Sequence, residues 1–106
     1  VGEGAAFFLA SKEKLSSSVA KMVGLNLSGK LDVQADLVLS NTDEGFNYAP
    51  FSGEHFTSIG FGLFLALKAF EAGKVDNPYV SFNHPKRILV HHQLLGPEMS
   101  ILLETV

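Results

Sequence analysis

The chain has 106 residues, 46% hydrophobic and 18% charged, the make-up of one globular domain able to bury a core. A formal net charge of −3 with eight scattered Lys and Arg residues argues against a nucleic-acid partner, because phosphate binding calls for clustered basic side chains. Cysteine is absent, which removes disulfides, thiolate metal ligands and cysteine nucleophiles from these residues.

The lack of cysteine fits a reducing compartment. No N-terminal stretch combines a basic start, an apolar run and a small-residue cleavage site, so a cytoplasmic location is expected. The most apolar stretch, residues 56–72, is broken by Lys68 and Glu71 and falls short of a membrane span. The chain opens on Val1 rather than Met, and so reads as a processed chain or a piece of a longer one.

Gly2 and Gly4 lead into a continuous apolar run at residues 5–10, which predicts a buried strand. Residues 11–18 are polar and read as a short helix or a loop. Residues 19–27 alternate, with Val19, Lys21, Val23, Leu25 and Leu27 on one face, and predict a strand running to a turn at Ser28-Gly29. A further strand is expected at residues 35–40, ending in the turn-rich stretch Asn41-Thr42-Asp43-Glu44-Gly45. Residues 47–55 read as loop.

Residues 56–72 form the one long predicted helix, with Gly73 as its stop. Helical spacing clusters Ile59, Leu63, Leu67 and Phe70 on one face. Phe61, Phe64 and Leu65 fall on the opposite side, beside Lys68 and Glu71. A helix apolar on two sides must be covered on two sides, by its own sheet and by a second layer. Phe61, Phe64 and Leu65 are therefore the expected interface. After a loop holding Asn77-Pro78 and His84-Pro85, residues 87–95 predict a strand. A Gly96-Pro97 turn leads to a last strand at residues 99–105. No repeat or internal boundary breaks residues 1–106. The expected fold is α/β, with α+β as the alternative: a mixed sheet of about five strands carrying one long helix.

His91 and His92 are adjacent on a predicted strand, so their side chains point to opposite faces and cannot share one metal. No metal or cofactor site is expected. Asp43 and Glu44 could form a carboxylate pair, although solvated turn residues are the common case. The phenylalanine-rich helix could line an acyl channel, with core packing as the competing reading. Gly2 and Gly4 lack the strand–glycine–helix context of a dinucleotide site.

Gly2-Glu3-Gly4-Ala5 and the apolar run after it resemble the segment that opens the second half of β-ketoacyl synthases, which have the thiolase fold. The resemblance continues in order. Residues 22–28 are similar to a glycine-containing strand, and residues 35–40 to the strand that ends in a His-Gly-Thr loop. Ser52-Gly53-Glu54-His55 before the long helix is similar to a Thr-Gly-His loop before a small-residue-rich central helix. Residues 90–103 are similar to two closing strands around a Gly-rich turn. The chain looks closer to a divergent subgroup that has a Gly-Glu-aromatic loop in place of Thr-Gly-His. The resemblance implies a half of a condensing enzyme of fatty-acid or polyketide-type synthesis, with Glu54 or His55, depending on alignment, at the second catalytic histidine. The competing reading of His55 is an ordinary loop histidine. It further implies contact with an N-terminal half or a second copy of this chain, and with an acyl carrier protein.

The departures matter as much. Asn41-Thr42-Asp43 stands where the first catalytic histidine would be, and the nucleophilic cysteine belongs to a half not contained here. Condensation needs a cysteine to carry the acyl chain and donors to stabilise the enolate. The isolated chain is expected to be inactive. A non-catalytic, chain-length-factor-like protein or a self-associating interaction module is the alternative.

Overall fold

A computed structural model describes residues 18–27, 29, 31, 33–52, 59–76, 81–93 and 98–106. In chain order these residues form strands β1 (Ala20–Asn26), β2 (Leu37–Ser40) and β3 (Phe46–Asn47). Helices α1 (Ala49–Ser52) and α2 (Ile59–Ala72) follow, then strands β4 (Lys74–Asp76), β5 (Ser81–Asn83), β6 (Arg87–Gln93) and β7 (Glu98–Thr105). The main sheet has the order β1-β7-β6-β2-β3. Strand β2 runs parallel to both β3 and β6, whereas β7 is antiparallel to β6 and β1. The sheet is thus mixed, and α2 lies over it in an α/β architecture. Strands β4 and β5 form a separate antiparallel hairpin. The Cα radius of gyration is 13.2 Å, close to the about 13 Å typical of a compact chain of 100 residues.

Four of the five main strands fall on runs that the sequence marks. The strand expected at residues 5–10 and nearly all of the polar stretch at 11–18 lie outside the described residues. So do the first turn of the expected helix, the Gly96-Pro97 turn and Leu94-Leu95. The fifth observed strand is β3, within a stretch read as turn and loop. Beside it the Asn47 side-chain oxygen accepts the Ala49 N–H at 2.9 Å and starts the single turn of α1. Pro50 suits that first turn, where its missing N–H has no partner to lose. The β4–β5 hairpin also replaces expected loop. Each strand has only one inward side chain, Val75 or Phe82, directly paired across the hairpin, and a pattern that short carries no periodicity.

Cross-strand neighbours point to the same side of a sheet. Leu37, Leu39, Ile88, Val90, Ile101 and Leu103 therefore share one face, and they form the core with Tyr48, Ala66 and Ala69. The helix meets this face along its small residues: Gly62, Ala66 and Ala69 are buried, at i, i+4 and i+7. A Cβ on Gly62 would stand 2.8 Å from Tyr48 Cε2 and 2.9 Å from Val90 Cγ1. The two clusters of large residues read from helical spacing flank this stripe. Ile59, Leu63 and Phe70 on one side, and Phe61 and Leu65 on the other, are half-buried against the same core. Small residues between them let one sheet serve both sides, so α2 sits close and its flanks reach down. Gly73 closes the helix with φ +78°, its N–H donating to the Ala69 carbonyl at 3.0 Å.

The alternation expected in β1 is broken. Met22 pairs with Leu103 and Gly24 with Leu102, so Val23 is an extra residue, a β-bulge. Lys21 and Leu25 consequently fall on opposite faces, beside Glu104 and Ile101 respectively. On the sheet's second face Leu89, Leu102, Ser40, His91 and Ser100 are buried. Leu31 lies over Gly24, where an added Cβ would stand 3.1 Å from its Cδ1, and the Ser100 hydroxyl donates to the Gly29 carbonyl at 3.0 Å.

Candidate functional site

Open sheets with parallel strands present their sites at the carboxyl ends of those strands. Here β2 ends in Ser40-Asn41 and β6 in His91-His92-Gln93, with the start of β7 alongside at Glu98. After Ser40 the chain drops back past Val38, turns at Gly45 and rises again as β3. Gly45 has φ +70°, and a Cβ there would stand 2.3 Å from the Val38 carbonyl oxygen; only glycine fits.

Ser40 organises this loop from within. Its buried hydroxyl donates to the Glu44 carbonyl at 2.5 Å and accepts the Thr42 N–H at 3.2 Å. The Thr42 hydroxyl accepts the Glu44 N–H at 3.3 Å. Asn41 closes the seam to β6. Its side-chain oxygen accepts the Gln93 N–H at 2.8 Å, and its amide nitrogen donates to the Gln93 carbonyl at 2.5 Å. The side chain acts as a substitute peptide group and adds one rung to the β2–β6 ladder.

The two histidines lie on opposite faces, as their adjacency on β6 requires. His91 pairs with Ser100 on the second face; His92 pairs with Met99 on the helix side. His91 is buried, with a Glu44 carboxylate oxygen 3.5 Å from Nδ1 and a Glu98 carboxylate oxygen 3.9 Å from Nε2. The carboxylates address opposite nitrogens of the ring, so the three groups cannot converge on one ion. Among the described residues no cluster of three His, Asp or Glu side chains is arranged to hold a metal. His92 is held on the other face by Tyr48. The phenol oxygen lies 2.7 Å from His92 Nδ1, and the rings stack with centroids 6.0 Å apart and planes 11° from parallel. Tyr48 is fully buried, and that desolvation pushes its hydroxyl well above the usual phenol range, so it stays neutral.

Glu54 and His55, the two alternatives for a catalytic position, lie outside the described residues. The expected interface trio separates. Phe61 and Leu65 are half-buried against the core, with the Phe61 ring 6.2 Å from Tyr48. Phe64 alone is exposed. The Lys68 ammonium sits 5.6 Å from its ring centroid and pairs with Glu71 at 3.9 Å, so this side chain has a cationic neighbour on its own helix. The larger group of exposed apolar side chains lies on β1 and just after it: Met22, Val23, Leu25 and Leu27, between 44% and 67% exposed. Asp43 is exposed and Glu44 half-buried, so the two adjacent carboxylates do not share one environment.

At the amino end of β2 lies a second group of polar residues, held by hydrogen bonds and ion pairs. The Asp36 carboxylate accepts the Lys86 and Arg87 N–H groups at 2.7 and 3.0 Å, and these bonds lower its pKa below the ordinary carboxylate value. Arg87 and Lys21 both pair with Glu104, at 2.7 and 3.8 Å. This end is a surface charge network that fixes strand register. Among the described residues no helix is long and apolar enough to cross a membrane.

Asn41 and Tyr48 are the residues of this candidate site whose contacts sequence reasoning missed. Asn41 reads as a turn residue because its partner is 52 positions away, and Tyr48 meets its histidine across 44. The chain has no match among family models, curated proteins or solved structures.

Proposed function

We propose that this chain is one half of a β-ketoacyl synthase-like condensing protein of fatty-acid or polyketide-type lipid synthesis, inactive without a half that carries the cysteine. The observation that carries this reading is the arrangement at the carboxyl ends of β2 and β6. A strand ends in a polar loop, a parallel neighbour follows it, and β7 returns antiparallel. A helix lined by Gly62, Ala66 and Ala69 lies tightly across them. This is the order of parts that the resemblance implies: donor loop, small-residue central helix, closing strand pair.

On this reading the chain supplies one wall of the acyl pocket and the framework behind it. The acyl chain would be carried by a thiolate on the other half, because these 106 residues include no cysteine. An acyl carrier protein would deliver the substrate.

One observation favours a second, non-catalytic reading in the manner of a chain-length factor. The loop where a first catalytic histidine would stand has none, and its Ser40, Asn41 and Thr42 side chains are all bonded to backbone of the loop itself or of β6. Such a loop is a structural closure. The exposed apolar side chains of β1 support a further version, in which a second copy of this chain replaces the missing half.

The reading frame upstream of Val1 in the native gene tests the proposal. A continuous frame encoding a cysteine-bearing half is expected, whereas an initiation codon immediately before Val1 would count against it.

A further inference from the structure

Tyr48 and His92 meet in the interior from the end of β3 and the end of β6. The phenol group is fully buried, and among the described residues its hydroxyl makes one hydrogen bond, to His92 Nδ1 at 2.7 Å. A buried hydroxyl proton needs an acceptor, and among the described residues the partner it has is the Nδ1 lone pair. That lone pair exists only if Nδ1 carries no proton. The alternative, an Nδ1–H donating to the phenol oxygen, would leave the hydroxyl proton without an acceptor among the described residues.

We infer that Tyr48 is a positioning residue for His92: its hydroxyl donates to Nδ1 and holds the ring in the neutral form with the proton on Nε2. Packing keeps the phenol in place to do this. Its ring stacks on the imidazole and lies against Gly62, where even a methyl group would intrude, and Phe61 tilts against it at 6.2 Å. Burial also keeps the proton on the phenol oxygen, since a phenolate there would be desolvated. His92 Nε2 is consequently an N–H donor at the carboxyl end of β6. The role of that donor rests on the condensing-protein reading: a neutral N–H is the type of group that stabilises an enolate, and the neighbouring loop has no histidine to offer one.

Nitrogen-15 NMR of the histidine-labelled 106-residue chain at neutral pH reads the protonation of each ring nitrogen directly. The expected spectrum has His92 Nδ1 unprotonated and Nε2 protonated. It also has a slowly exchanging Tyr48 hydroxyl proton correlated with Nδ1 across the hydrogen bond. In Tyr48→Phe that hydroxyl signal is lost and the Nδ1 resonance of His92 shifts, while the ring of His91, on the other face, keeps its signals. A protonated Nδ1 on His92 in the unaltered chain would overturn the inference, as would the absence of the hydroxyl correlation. If Tyr48→Phe does not fold, the unaltered spectrum still decides. The lack of any cysteine-bearing half upstream would defeat the proposed function and leave this spectrum unchanged, so the two failures are distinguishable.

Discussion

Asn41 joins two strands with one side chain. By accepting from and donating to the same residue, Gln93, it satisfies two backbone groups just where β2 has ended and cannot supply a peptide partner. Removing it leaves both groups of Gln93 without those bonds, beside the buried Asn41 position. Each such loss costs about 1 kcal/mol or somewhat more. Asn41→Ala is therefore expected to lower stability by about 2 kcal/mol in urea unfolding. Asn41→Asp keeps the shape but sets a carboxylate against the Gln93 carbonyl, and is expected to be at least as damaging. None of this was visible in the sequence. An Asn before Thr-Asp has the local signature of a turn, and a turn is what it makes as well. Its second role depends on β6 arriving alongside. The histidines were more legible: adjacency on a strand forces opposite faces, and His91 and His92 obey. What each face supplies, carboxylates for one and a phenol for the other, had no local pattern to reveal it.

The long helix shows how an element can be located correctly and oriented wrongly. Residues 59–72 are helical as expected, but large apolar residues drew attention to two flanks, whereas the contact line runs along glycine and alanine between them. The physical reason is distance. A helix whose seam lacks side-chain bulk can lie close to the sheet, and residues on both flanks then reach the core. Tyr48 and Val90 fill the space that Gly62 leaves. Gly62→Ala should improve intrinsic helix propensity by about 1 kcal/mol, yet the added methyl would stand 2.8–2.9 Å from those two side chains. Overpacking of this kind typically costs about 1–3 kcal/mol, so net destabilisation is expected. Phe64→Ala provides the contrast: on an exposed position the change should stay near 0.5 kcal/mol, about the size of ordinary surface substitutions. Thermal melts of the two variants check both. Equal effects would mean that the helix does not meet the sheet through its small residues. Strand β1 shows the same limit on sequence reading. Its alternation was evident, but the bulge at Val23 shifts the phase midway, and only pairing with β7 defines where.

At the scale of the molecule, four of the five main-sheet strands among the described residues, and the long helix, were legible because their apolar runs are long or strongly patterned. Strand β3 and the β4–β5 hairpin were not, being two or three residues long and set by neighbours. Apolar surface is exposed at β1, where Met22, Leu25 and Leu27 extend beyond the region that α2 covers, while Phe61 and Leu65 are used within the core. The functional reading depends on chemistry that these residues lack. Without a thiol no acyl thioester of the kind a condensing enzyme uses can form on them, however well the pocket wall is shaped. The most direct test is therefore to expose the protein, purified from its native source, to an acyl thioester and map the adduct by peptide mass spectrometry. A condensing protein should carry the acyl group on a cysteine outside these 106 residues, in the same polypeptide. An acyl group attached to a side chain within them, or a native protein whose intact mass is that of this chain alone, would contradict the account.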